Sequence, residues 1–106
     1  SQCINTGGEK VFPEEVEEAV RRYAAVADVL VVGLPDERWG QKVVAVIEVA
    51  PEHDFVRAEF ERICRERLSG YKLPKVIFLA DQIQRSPAGK ADYRWAKDFA
   101  TRSPAL

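Results

Sequence analysis

Apolar positions recur along this chain in two rhythms. Over residues 12 to 23 they fall at Phe12, Val16, Ala19, Val20 and Tyr23, the spacing that lays one apolar stripe along a helix. Pro13 suits the first turn, Glu14, Glu15, Glu17 and Glu18 crowd the positive end of the helix dipole, and Arg21 and Arg22 stand at its negative end. Glu17 with Arg21 and Glu18 with Arg22 are expected to pair at i, i+4. The rhythm then changes. Ala27 to Leu34 (ADVLVVGL) and Lys42 to Val49 (KVVAVIEV) are nearly continuous apolar, β-branched runs, which predicts two buried strands with PDERWG as a polar turn between them. A second helical stripe follows at Val56, Phe60, Ile63, Cys64 and Leu68. Asp54 is placed to cap this helix, Glu61 and Arg65 to pair outside it, and Ser69-Gly70 to end it. Lys75 to Ala80 (KVIFLA) predicts a third strand, DQIQRSPAG a loop, and Ala91 to Ala100 a last helix on which Trp95 and Phe99 dock at i, i+4. The tail at 101–106, TRSPAL, is expected to fray.

The order predicts an α+β domain: a small three-stranded sheet with flanking helices, plus an N-terminal strand-turn. At 106 residues and 12.0 kDa the chain has room for one core, so residues 1–106 form a single domain. Sixteen Lys and Arg against seventeen Asp and Glu leave a net charge of −1, which offers no global field to nucleic acid or anionic membrane. No apolar run approaches the roughly 18 residues of a membrane span, and SQCINTGGEK has none of the regions of a signal peptide, so the expected location is cytoplasmic. Cys3 and Cys64 fit neither a redox motif nor a disulfide scaffold and are expected to be reduced. The absence of methionine is consistent with removal of an initiator before Ser1 or with a piece of a longer protein.

Few residues suggest a self-contained active site. The sole histidine, His53, lies in the polar loop APEHDF without companions at metal-ligand spacing, and Cys64 falls on the apolar helix face. The GK of SPAGK is not a phosphate-binding loop of the Walker type, because the required Gly and Ser/Thr positions hold Gln84 and Ala91. No strand carries the Gly-flanked aromatic pair of an RNA-recognition motif. Three glycine-bearing loops remain: NTGGEK, LSGYKLPK and RSPAGK. Taken singly, Gly7-Gly8 reads as a tight turn, Gly70 as a helix C-cap and Lys90 as an exposed surface lysine. Pro87 and Gly89 nevertheless build a turn that is stiff at one end and permissive at the other, fit to present the Lys90 ammonium away from its own domain.

Taken together, INTGGEKVFPEEVEEAV, VVGLPDERWGQKVVAVI, LSGYKLPKVIFL and RSPAGKADYRWAK resemble, in order and over essentially the whole chain, the C-terminal domain of adenylate-forming enzymes, most closely the fatty acyl-coenzyme A synthetases. The resemblance implies a small lid on a large N-terminal domain that holds ATP, with Mg2+, and a fatty or other carboxylic acid. The acid and ATP give an acyl-adenylate and pyrophosphate. The lid then rotates, and the thiol of coenzyme A displaces AMP to give the thioester. By resemblance Lys90, in Pro87-Ala88-Gly89-Lys90, is the adenylation lysine, whose ammonium would stabilise negative charge gathering as the carboxylate attacks the α-phosphate. By the same resemblance the loop Gly7-Gly8-Glu9 lines the pantetheine tunnel, where missing side chains let backbone approach a narrow arm. Tyr71 and Lys72 are placed near the coenzyme's phosphates or the domain interface.

Two departures accompany the match. The family hinge should precede Ser1, and the nucleotide-binding motifs of the large domain are absent, so the isolated chain is expected to be inactive with no cofactor bound. The arginine that often follows the catalytic lysine by three residues is Tyr93 here, with Arg94 one later. Two other readings stay open at this point: the lid of an adenylating ligase that loads a carrier protein, and a free-standing binding domain without catalysis.

Overall fold

A computed structural model describes residues 3–106. Its elements run β1 (Ile4–Thr6), β2 (Glu9–Val11), α1 (Pro13–Val20), β3 (Val26–Asp36), β4 (Gly40–Val49), α2 (Arg57–Arg65), a 3-10 turn (Gly70–Lys72), β5 (Val76–Ala80) and α3 (Tyr93–Arg102). β4 is central. It pairs antiparallel with β3 from Val26–Val49 through Asp36–Gly40, and parallel with β5 from Val44–Val76 through Glu48–Ala80. The β1–β2 hairpin joins the same side of β4 through Thr6 and Gly40. The three expected strands and the N-terminal strand-turn are therefore one sheet, and α2 is the crossover that a parallel β4–β5 pair requires.

The continuous apolar runs of β3 and β4 follow from a sheet covered on both faces. Alternate side chains face opposite ways. Val29, Val31, Val43, Ala45, Ile47 and Ile77 meet α1 and α2, while Leu30, Val32, Val44, Val46, Phe78 and Ala80 meet Ala96 and Ala100 of α3. Phe60 of α2 is fully buried and packs with Tyr23 and Phe55 at centroid distances of 6.5 and 5.2 Å. On α3 the expected pair Trp95 and Phe99 stacks at 5.3 Å. Among the described residues no helix is long and apolar enough to cross a membrane.

Several local expectations are corrected. Glu17 does not pair with Arg21, because α1 ends at Val20 and the Glu17 side chain turns inward, where it is buried. Glu61 pairs backward with Arg57 at 3.4 Å rather than forward with Arg65. Asp54 does not cap α2, whose N-cap is Val56. Gly70 is not the C-cap of α2 but opens the 3-10 turn five residues after that helix has ended. The last helix starts at Tyr93, with Asp92 as its cap accepting from the Trp95 amide at 3.0 Å. The tail expected to fray instead carries α3 through Arg102, and the Leu106 amide donates to the Ile77 carbonyl at 2.8 Å.

Candidate functional site

The loop bearing Lys90 is a short hairpin. Arg85 bridges Ala91, the Ser86 amide donates to the Lys90 carbonyl at 3.0 Å, and the Gly89 amide donates back to the Ser86 carbonyl at 2.8 Å. Pro87 occupies the first turn corner and Gly89 takes φ +82°, the left-handed residue that a three-residue hairpin loop needs. The Ser86 hydroxyl accepts from the Lys90 amide at 3.1 Å, so the backbone is tied on both sides while the Lys90 side chain stays exposed.

This hairpin is fastened to the free edge of β3. Arg85 grips Asp28 with two guanidinium nitrogens, at 2.9 and 2.7 Å, and Arg21 lies 3.6 Å from the same carboxylate. Burial works against the Asp28 charge, but hydrogen bonds from Arg85 and the Val29 amide outweigh it and hold the carboxyl below its ordinary value. Two residues on, Glu17 takes the Val31 amide at 3.0 Å and the Tyr93 hydroxyl at 2.9 Å on one oxygen. Burial raises the Glu17 carboxyl despite those bonds, and burial with the Glu17 charge pushes the Tyr93 phenol well up. Tyr93 thus anchors the start of α3 to α1. Arg94 is exposed.

The second loop is also a hairpin. Gly7 and Gly8 have φ of +59° and +85°, and Thr6 pairs with Glu9, a two-residue turn with both corners left-handed. Its position is set by Trp39, whose carbonyl accepts from the Gly7 amide at 2.8 Å. Trp39 is itself held by Asp36, whose Oδ1 accepts from the Trp39 and Arg38 amides at 3.0 and 2.8 Å. These two bonds hold the Asp36 carboxyl below its ordinary value. A cleft of about 250 Å³ lies here, with Gly7, Glu9 and Trp39 on one side and Gly70, Tyr71 and Lys75 on the other. Lys75 holds its Nζ 5.9 Å from the Trp39 ring centroid.

The structure brings Gly7, Glu9 and Tyr71 to one cleft, as the sequence expectation groups them. Gly8 and Lys72 do not line it. Lys72 is turned to α1, both Glu15 oxygens lying 3.0 Å from its Nζ. Trp39 and Lys75 were not anticipated, although a tryptophan in the polar turn PDERWG was an available signal. Lys90 stands apart from all of these. Its hairpin is fixed at Asp28 and the glycine cleft at Asp36, eight residues along β3, or roughly 26 Å at about 3.3 Å per residue. His53 stays a loop residue, its Nδ1 donating to the Pro51 carbonyl at 2.9 Å.

Residues 15–90 match the family model for the AMP-binding enzyme C-terminal domain. The chain is 50% identical over 105 residues to a 3-oxocholest-4-en-26-oate–CoA ligase of Rhodococcus rhodochrous, covering 99% of this chain and 19% of that protein. It therefore spans about a fifth of the length of such relatives. A Mycobacterium tuberculosis fatty acyl CoA synthetase superposes with a TM-score of 0.85 at 33% identity, over 97% of this chain and 20% of that one. An o-succinylbenzoate CoA synthetase from Bacillus subtilis, solved with its acyl-adenylate intermediate, superposes with a TM-score of 0.85 at 32% identity, over 92% of this chain and 20% of that one.

Proposed function

This chain belongs to the family of AMP-binding enzyme C-terminal domains, and from that premise we propose that it is the lid of an acyl-coenzyme A synthetase, an acid–thiol ligase that works through an acyl-adenylate. Its partner is the enzyme's own N-terminal domain, its substrates a fatty or related carboxylic acid, ATP and coenzyme A, and its setting the cytoplasm. Mg2+ would enter with ATP, and the proposal assigns it no ligand in this chain. The naming of the Rhodococcus relative as a CoA ligase supports the choice of thiol.

The observation that carries the proposal is the placement of two hydrogen-bonded hairpins at opposite ends of β3. One domain with a cation at one end and an open glycine cleft at the other can serve two half-reactions by turning over, but cannot serve both in one pose. In the first pose Lys90 places its ammonium between the attacking carboxylate oxygen and the α-phosphate. The hairpin hydrogen bonds and the Arg85–Asp28 pair supply the preorganisation that makes such a cation effective. In the second, Gly7 and Trp39 border the passage for the pantetheine arm.

The test separates the half-reactions in the full-length enzyme. Lys90→Ala is expected to lower acyl-adenylate formation by roughly 10²- to 10³-fold while supplied acyl-adenylate is still converted to thioester. Equal loss of both steps would refute the assignment.

A further inference from the structure

The loop that carries Lys90 is tied down at both of its ends, and both ties land on the free edge of β3. Among the described residues β3 pairs with β4 alone. At the first end of the loop Arg85 holds Asp28. At the other end Tyr93, the first residue of α3, donates its hydroxyl to Glu17 Oε2 at 2.9 Å, and the same oxygen accepts from the Val31 amide at 3.0 Å. Asp28 and Val31 stand three residues, or about 10 Å, apart along the strand. Lys90 lies between the two ties, five residues after Arg85 and three before Tyr93. Neither residue between Lys90 and Tyr93 is loose: Ala91 is bridged to Arg85, and Asp92 caps α3 by accepting from the Trp95 amide at 3.0 Å. A shift of Tyr93 is therefore passed on to Lys90.

Holding a helix through Glu17 works against stability. The residue is 4% exposed, and burial disfavours its charge, whereas Ala96 and Ala100 already seat α3 on the sheet by apolar contact. Such contact has no direction. What the carboxyl adds is a direction, because one oxygen joins the edge of β3 to the phenol at the start of α3. We propose that Glu17 and Tyr93 are positioning residues for adenylation, holding the α3 end of the Lys90 loop as Asp28 and Arg85 hold the other, so that the ammonium is presented along one line to the reacting carboxylate and α-phosphate. The inference rests on the reading of Lys90 as the adenylation lysine. Neither Glu17 nor Tyr93 lines the glycine cleft, so the tie serves one half-reaction and not the other.

The experiment uses the full-length enzyme and measures both half-reactions in each preparation, so that thioester formation from supplied acyl-adenylate counts the folded enzyme. Tyr93→Phe removes only the donor, and is expected to lower kcat for acyl-adenylate formation roughly tenfold, with KM for ATP and for the acid unchanged and the thioester step spared. Glu17→Ala should do the same, and Glu17→Gln, which keeps an accepting oxygen, should recover most of the loss. The decisive comparison repeats Tyr93→Phe in the Lys90→Ala enzyme, where a residue acting only through Lys90 has nothing left to place and its added effect is expected to vanish. An adenylation rate for Tyr93→Phe within about twofold of the parent, an equal loss in both half-reactions, or an undiminished loss in the Lys90→Ala background would overturn the proposal and leave the synthetase reading standing. Full adenylation by Lys90→Ala itself would instead remove the reading on which the proposal depends.

Discussion

Asp28 and Arg85 meet in a two-point ion pair across 57 residues of chain, and that pair is what fixes the lysine hairpin to the sheet. A paired, forked contact sets direction as well as distance. Asp28→Asn keeps the shape but removes the charge, and is expected to slow acyl-adenylate formation in the full-length enzyme by roughly 10- to 100-fold through misplacement of Lys90. Conversion of supplied acyl-adenylate should change little. The Asp28 carboxyl titrates below its ordinary 3.8, so its contribution is complete above that pH and is lost only as pH falls through the lower folded value. The defect of the variant should accordingly be constant from roughly pH 5 to 8. Pyrophosphate exchange measured across that range decides the point, and a variant indistinguishable from the parent would detach Asp28 from the hairpin's function.

Gly7 poses the opposite problem, that of a side chain which must be missing. With φ at +59°, a Cβ there would lie 3.0 and 3.3 Å from two atoms of the Trp39 ring. Gly7→Ala is expected to cost about 1–2 kcal/mol in the left-handed backbone alone, and to push Trp39 out of the cleft it borders. Denaturant unfolding reads the first effect. Thioester formation from supplied acyl-adenylate reads the second, and it should fall while adenylation is spared.

The architecture was legible because its signals are periodic. The stripe from Val16 to Tyr23 and the β-branched runs of β3 and β4 can be satisfied only by an amphipathic helix and a sheet covered on both sides. What the pattern could not carry was the direction of individual polar side chains. Glu17 lies on a helix full of glutamates and looks like one more solvated charge, yet it is buried because β3 leaves its Val31 amide unpaired on the edge beside it. Lys72 was legible as a loop cation, but its bond to Glu15 depends on the approach of α1 to the 3-10 turn, a contact between residues 57 positions apart. Trp39 was visible as a residue and not as a wall, since only folding brings it against Gly7 and Tyr71.

The two thiols should behave differently. Cys64 is fully buried on α2, and burial, with the charge of Glu61 adding to it, pushes its thiol up to about 11. Cys3 is exposed. The thiolate is the reacting species, so a neutral disulfide reagent should titrate one thiol of this chain in the native state and two in denaturant. Rapid reaction of both without denaturant would mean that α2 opens easily.

The Glu17 carboxyl gives a pH dependence of the reverse sign to that of Asp28. Its folded value lies above 4.5, because burial outweighs the bonds from Val31 and Tyr93. The folded chain therefore holds this proton more firmly than the unfolded one, and the group's contribution is greatest below about 4.5 and is lost as pH rises through the folded value. Glu17→Gln retains an oxygen able to accept from Val31 and Tyr93 but cannot ionise. The stability of the parent relative to Glu17→Gln should fall as pH rises above 4.5 and then level off, as read by denaturant unfolding at a series of pH values. Tyr93→Phe removes a donor that favours the charged form, so it should carry the falling region to higher pH. Parallel profiles for the parent and Glu17→Gln would mean that the carboxylate costs nothing in its buried place, and that the edge of β3 is held by packing rather than by this group.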